Sequence, residues 1–141
     1  MAELKLSAAE VQALIRGGLP AAAQHGVEIA QVTPHESRIR VPFHEGMLRP
    51  GGVISGPTLF AAADTAMYAL VLARAGAQLM AVTSNMTINF LNKAAAGDVL
   101  GHARLLKFGR RLVVMDVALS TGAAPEVVVA HATGSYALPM A

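Results

Sequence analysis

The stretch Ser55-Gly-Pro-Thr-Leu-Phe-Ala-Ala-Ala-Asp64-Thr-Ala-Met-Tyr-Ala-Leu-Val-Leu72 is strongly apolar and carries a single acid. Pro57 suits the first position of a helix, because its φ is fixed near the helical value and its missing N–H would be unpaired there anyway. A helix from Pro57 to about Gly76 is therefore predicted, apolar nearly all round. Its most apolar stretch, Thr58 to Ala73, is about 16 residues long with Asp64 inside it, which is shorter than the roughly 20 apolar residues that span a bilayer, so we expect a core helix and no membrane partner.

Outside this helix the hydrophobic pattern predicts strands and one further helical segment. Residues 1–25 form an N-terminal helical segment, which Ser7 and Glu10 begin with the spacing of a capping box. In 82–90 a period of two assigns Met86 to the core face and Thr83 to the opposite, polar face. The order predicts an α+β fold and one domain over 1–141, with the long helix wrapped by a curved antiparallel sheet of about six strands. Strands are expected from 27 to 43 around a turn at 33–35, and over 82–90, 99–107, 112–120 and 127–138.

Composition excludes several classes of function. The 141 residues include no Cys, which removes disulfide scaffolds and thiol nucleophiles, and 11 Lys and Arg against 9 Asp and Glu leave too little positive charge to favour nucleic acid. The five His residues lack the spacing of a ligand cluster, so no metal and no cofactor are expected. The start of the chain has no basic segment followed by an apolar run, and we expect a cytoplasmic protein.

Asp64 and Gly56 are the strongest candidates for chemistry. A carboxylate in an apolar helix is costly unless it is paired or used, and the simplest structural alternative is a bond to Thr65 or Tyr68. Gly56 lies at the start of the helix, where free N–H groups favour negative charge. Eight residues of helix, about 12 Å, separate the two. Because two groups acting on one carbonyl must be closer, the spacing predicts a symmetric dimer in which Gly56 of one subunit faces Asp64 of the other.

These residues resemble the hotdog-fold acyl-CoA thioesterases of the PaaI type over about residues 25–138. The resemblance rests on the Gly-rich loop that ends in Ser55-Gly56, the acid eight residues after that glycine, the pattern Met86-Thr-Ile-Asn-Phe-Leu91 and Gly97-Asp98. It implies hydrolysis of an acyl-CoA, with Asp64 as general base or nucleophile and the Gly56 N–H polarising the thioester carbonyl. It further implies help from Thr83 of the acid's own subunit, and assembly as a dimer or dimer of dimers.

Two departures from the family pattern keep an alternative open. The family commonly has His-Gly-Gly where this chain has Ser55-Gly56-Pro57, and an Asn where this chain has Arg49. A non-catalytic acyl-CoA-binding module on the same fold is therefore the second hypothesis, since fold does not fix function. The substrate-binding residues expected from the loop and the apolar helix are Arg49, for the phosphates, and Ser55, Pro57, Phe60, Met67 and Tyr68.

Overall fold

The computed structural model describes residues 3–140, in which the chain forms three α-helices and eight β-strands. The predicted α+β class is confirmed. Helices occupy 8–18 and 20–25 of the predicted N-terminal segment 1–25, whose residues 1 and 2 lie outside the described range. The predicted long helix is present, and the loop before it holds a short hairpin. The helices are α1 (Ala8–Gly18), α2 (Pro20–His25) and α3 (Gly56–Ala75), and the strands are β1 (Glu28–Val32), β2 (Glu36–Val41), β3 (Leu48–Arg49), β4 (Val53–Ile54), β5 (Val82–Phe90), β6 (Val99–Phe108), β7 (Leu112–Thr121) and β8 (Ala130–Ala137).

Six of the strands form one antiparallel sheet in the order β1-β2-β6-β7-β8-β5. Strand β5 precedes β6 in the chain, but within residues 3–140 it pairs only with β8, so its other side is a free sheet edge in this part of the chain. Strands β3 and β4 pair with each other in the loop before α3. Gly51 and Gly52 make their turn at φ of 101° and 71°, a conformation that residues with a side chain rarely adopt.

Helix α3 lies across one face of the sheet, which we call the inner face, and forms the core with it. Ten of the twenty residues of α3 are buried. Close approach is possible because β6 carries Gly101 under the helix, where a Cβ would lie 3.3 Å from the Cβ of Ala66 and 3.1 Å from Ile39 Cγ1. Helix α3 is long and apolar enough to cross a membrane. Its apolar side chains pack on the inner face of the sheet, which accounts for the apolar composition of the helix.

The N-terminal segment consists of two helices rather than one continuous helix. The capping box is confirmed, because Ser7 Oγ accepts from the Glu10 N–H and the Glu10 carboxylate accepts from the Ser7 N–H. Helix α1 ends before Leu19, and Pro20 begins α2. Proline has no N–H for the helix ladder and is accepted in the first turn of a new helix. Gly26 ends α2 at φ 68°.

Asp116 faces away from α3 on the outer face of the sheet, as the alternation of β7 predicts, yet it is only 6% exposed. Arg104 donates to both of its oxygens, at 3.2 and 2.7 Å, and His131 Nε2 lies 2.9 Å from Oδ2. Burial pushes the pKa of Asp116 upward, but the hydrogen bonds from Arg104 and His131 outweigh this effect and hold the pKa below its ordinary value. The folded state therefore favours the ionised carboxylate.

Asp116→Asn is expected to lower the free energy of unfolding by about 1–2 kcal/mol at neutral pH, because the amide replaces an oxygen acceptor with a donor. The contribution of Asp116 is complete above the pKa of the unfolded state, about 4, and is lost as the pH falls through the lower pKa of the folded state. Urea unfolding of both proteins at neutral and acidic pH tests this. A stability difference that stays constant toward acidic pH would contradict it.

Candidate active site

The carboxylate of Asp64, in the third turn of α3, is held on one oxygen by two hydroxyl groups. Thr83 Oγ1 donates to Asp64 Oδ1 at 2.6 Å, and the Tyr136 hydroxyl lies 2.7 Å from the same oxygen. The Tyr136 hydroxyl also lies 3.1 Å from the backbone oxygen of Asp64. Among the described residues, 3–140, no side chain or backbone group donates to Oδ2. One oxygen of the carboxylate is thus fixed, and the other is unoccupied by protein donors.

The structural alternative, that Thr65 or Tyr68 binds Asp64, is wrong. Thr65 Oγ1 donates to the carbonyl oxygen of Ala61, one turn earlier in α3, at 2.9 Å. The Tyr68 hydroxyl donates to the carbonyl oxygen of Leu79 at 3.0 Å. Both hydroxyls satisfy backbone carbonyls, and the partners of Asp64 come instead from β5 and β8.

Thr83 reaches Asp64 because β5 contains an irregularity that simple alternation does not show. The pairing of β5 with β8 shifts between Thr83 and Asn85, so that Thr83 lies opposite Tyr136 and Asn85 lies opposite Ser135. Such a bulge inserts one extra residue and reverses the side of the sheet on which the following side chains lie. The prediction that Thr83 lies on the polar face, opposite Met86, is therefore wrong, since Thr83 lies on the inner face beside α3.

Tyr136 is a site residue that the sequence analysis missed. It is 4% exposed, and its ring stacks on Tyr68 with 5.8 Å between the centroids. Burial first, and then the charge of Asp64, raise the pKa of the Tyr136 phenol well above its ordinary value, so the hydroxyl keeps its proton. The alternation of β8 could have placed Tyr136 on the inner face, but nothing in the sequence pairs β8 with β5.

Gly56 begins α3, one residue earlier than predicted, and Pro57 occupies the next position. Ser55 is the N-cap, because its Oγ accepts from the Thr58 N–H at 3.3 Å. Within the described part of the chain, no group accepts a hydrogen bond from the Gly56 N–H. The phenyl ring of Phe90 covers this glycine, with Cζ 3.3 Å from the place a Cβ would take. The start of α3 therefore presents a free N–H beside an aromatic ring.

A surface depression of about 580 Å³ opens beside Gly56, and we call it the Gly56 groove. Arg49 and Lys93 supply two cations to its wall, and Phe90 supplies an aromatic face. A smaller apolar depression adjoins it between Phe60, Pro57 and Phe90. Arg49, Pro57 and Phe60 thus lie around the Gly56 end of α3.

Two of the predicted substrate-binding residues lie elsewhere. Met67 is fully buried, and its Sδ lies 3.1 Å from the Cβ position of Gly134 on β8. It belongs to the core between α3 and the sheet, because the inner face of β8 needs a large side chain above that glycine. Tyr68 stacks on Tyr136 and lines none of these depressions.

The free edge of the sheet exposes apolar side chains at the two ends of β5. Val82 and Phe90, at the two ends of β5, are 59% and 54% exposed, and Leu91 is 55% exposed. Phe60, on the side of α3 near Asp64, is also exposed. An exposed edge strand with unpaired backbone groups is a template for pairing with another strand.

Residues 51–132, which include Gly56, Asp64 and Thr83, match the family model described as Thioesterase superfamily. The chain belongs to the thioesterase superfamily. Membership agrees with the family resemblance in its sequence.

Structures of other thioesterase-superfamily proteins share this fold. A structure from a Silicibacter species, named as a thioesterase, is 38% identical with a TM-score of 0.88 and covers 99% of this chain and 96% of its own. The PaaI protein of the E. coli phenylacetic acid degradation operon has a TM-score of 0.77 at 24% identity, and the match covers 94% of each chain. The predicted hotdog fold is confirmed.

A curated relative from Saccharolobus solfataricus, which carries the name of an esterase, is 33% identical over 101 residues. The match covers 69% of this chain and 64% of that protein. More than a third of that relative therefore lies outside the match.

Proposed function

We propose that this thioesterase-superfamily protein hydrolyses acyl-CoA thioesters to a carboxylate and free CoA, with Asp64 as the reacting acid. The observation that carries the proposal is the one-sided binding of Asp64, whose Oδ1 accepts from Thr83 at 2.6 Å and from Tyr136 at 2.7 Å. Two donors on one oxygen fix the rotation of the carboxylate and leave Oδ2 free for substrate or water. Positioning of this kind lowers the barrier by removing the need to orient the reacting group.

The reaction needs one base or nucleophile and one donor for the carbonyl oxygen. In the general-base route, Oδ2 of Asp64 takes a proton from a water molecule as that water attacks the thioester carbon. In the nucleophilic route, Oδ2 itself attacks the thioester carbon and gives an anhydride, which water then hydrolyses. The carbon–sulfur bond breaks, and the CoA sulfur leaves as a thiolate that takes up a proton. A Gly56 N–H stabilises the negative charge that develops on the carbonyl oxygen.

Gly56 and Asp64 serve one substrate only if they come from two chains. Both lie on the rigid helix α3, eight residues or about 12 Å apart. Pairing of β5 with the β5 of a second copy would cover the exposed Val82 and Phe90 and bring two α3 helices side by side. A two-fold axis at this edge would place each Asp64 near the partner's Gly56 and create two equal sites.

The CoA portion of the substrate would lie along the Gly56 groove. Arg49 and Lys93 carry the positive charge that the phosphates of CoA require. The thioester would then enter past Phe90 toward the Gly56 N–H. Arg49, where the family commonly has an amide, would act on the phosphates rather than on the carbonyl.

The proposal is tested by following thiol release from a panel of acyl-CoA esters with a thiol-reactive dye. The protein adds no background, because it contains no cysteine. Turnover of one or more esters supports the proposal. Saturable binding of acyl-CoA without turnover would overturn it and favour the non-catalytic binding module.

Tyr136→Phe is expected to lower kcat about tenfold while KM stays within about twofold, because the change removes one hydrogen bond of ~1.5 kcal/mol to Asp64. Tyr136 acts as a positioning residue, since it holds the acid and does not contact the reacting atoms. Tyr68→Phe is the matched control, because its hydroxyl donates to Leu79 and not to Asp64. Equal losses in the two variants, or a loss confined to KM, would contradict this role.

A further inference from the structure

A pocket of about 400 Å³ lies on the outer face of the sheet, so the sheet separates it from α3 and Asp64. Arg38, His102 and Ala118 lie opposite one another on β2, β6 and β7, and all three line the pocket. Ala118 is two residues from Asp116 on β7, so its side chain shares the outer face. The volume lies within the range of pockets that bind small molecules.

Arg38 is a cation of this pocket whose charge is not compensated by a carboxylate among residues 3–140. The other arginine in the wall, Arg40, donates to the carboxylates of Glu28 and Asp98, so its own charge is compensated. Arg38 is exposed, and in this part of the chain its side chain forms no ion pair and no hydrogen bond. Its guanidinium N–H groups are therefore available to a ligand.

The surface of the pocket beside Arg38 is mainly apolar. Leu100 and Ala118 form its floor on β6 and β7, and Pro125 and Val128 add a wall from the segment between β7 and β8. An apolar group that covers these side chains removes them from water, which favours binding. A guanidinium binds a carboxylate through two parallel hydrogen bonds. The pocket thus combines one site for a negative charge with space for an apolar body.

We infer that this pocket binds a free carboxylate that carries a single negative charge and an aliphatic or aromatic body, at a site separate from the proposed reaction site. One free guanidinium matches one carboxylate group. Phosphates and nucleotides carry more negative charge. A carboxylate oxygen of Glu36 lies 2.5 Å from His102 Nε2 in the wall, and its charge would repel the additional charge of such ligands. The inference does not use the proposed hydrolysis, because Asp64 lies on the other side of the sheet.

Hexanoate tests the inference, because it joins one carboxylate to an apolar chain. By titration calorimetry, Arg38→Gln should weaken hexanoate binding about tenfold, since the change removes a charge-assisted hydrogen bond. Arg110→Gln is the matched control and should bind hexanoate as wild type does, because Arg110 is also exposed, lies between β6 and β7 and does not line the pocket. Hexan-1-ol, which has the same chain without the charge, should bind wild type about tenfold more weakly than hexanoate. Inorganic phosphate should not compete with hexanoate.

A second pair of variants tests the apolar part of the pocket. Ala118→Leu fills the space above β7 and should weaken hexanoate binding about tenfold. Val114→Leu is its control and should leave hexanoate binding unchanged, because Val114 lies on the same strand and face but outside the pocket. Equal affinities in Arg38→Gln and Arg110→Gln, or displacement of hexanoate by phosphate, would overturn the inference. Since these titrations need no turnover, their outcome is independent of whether the protein hydrolyses any ester.

Discussion

Asp64→Asn is expected to lower kcat/KM for acyl-CoA esters by about 10²–10⁴-fold. The amide keeps an oxygen that can accept from Thr83 and Tyr136, but its nitrogen takes the place of Oδ2 and can neither remove a proton nor attack the thioester. Since the amide has the shape of the carboxylate, the loss of activity should appear in kcat. Thiol release measured across a range of substrate concentrations separates kcat from KM.

Two comparisons make this result specific to Asp64. Glu126→Gln removes one negative charge at an exposed position outside the site and should hydrolyse esters at the wild-type rate. The thermal unfolding temperature of Asp64→Asn should remain close to that of wild type. An undiminished rate in a folded Asp64→Asn protein would exclude Asp64 as base or nucleophile.

A mixed dimer of Asp64→Asn and Gly56→Pro chains is expected to recover about half of the wild-type activity, although each variant alone is inactive. In the mixed dimer one site combines the intact Asp64 of one chain with the intact Gly56 of the other, and the second site carries both changes. Gly56→Pro removes the N–H donor, a loss of about 10²–10³-fold in other oxyanion sites. Proline is accepted at the first helical position, so α3 can still form.

The mixed dimer is obtained by co-expressing the two chains with different affinity tags and purifying on both. Gly56→Ala is the control for shape, because it keeps the N–H and adds only a Cβ against the Phe90 ring. It should retain far more activity than Gly56→Pro. A mixed dimer no more active than its parents would show that Asp64 and Gly56 do not meet across a subunit interface.

The sequence was most informative where local chemistry decides the structure. Ser7 is a helix cap, as the capping-box spacing with Glu10 predicts, because a hydroxyl before a helix satisfies a free N–H. The six strands followed from their period of two, and the partnership of Asp64 with Thr83 followed from the family resemblance. These features depend on local sequence patterns or on family resemblance, and a single sequence is enough to recognise either.

Long-range geometry explains what the sequence did not reveal. Tyr136 reaches Asp64 because β8 lies between β7 and β5 in the sheet. The two residues are 72 positions apart in the sequence, so no local pattern connects them. The bulge after Thr83 depends on how β5 pairs with β8, and a period of two cannot express one extra residue. The sequence predicts Met67 as a substrate contact because α3 is apolar on every side, and the pattern does not show which side faces the sheet.

If the proposed dimer forms through the free edge of β5, catalysis depends on the abundance of the chain. If every reaction site needs two chains, the rate at low concentration rises with the square of the protein concentration, until most chains are paired. A chain without a partner would meanwhile expose the apolar residues Val82, Phe90 and Leu91 to other proteins. Synthesis of this protein at a low level would therefore yield little hydrolysis and a larger fraction of chains at risk of aggregation.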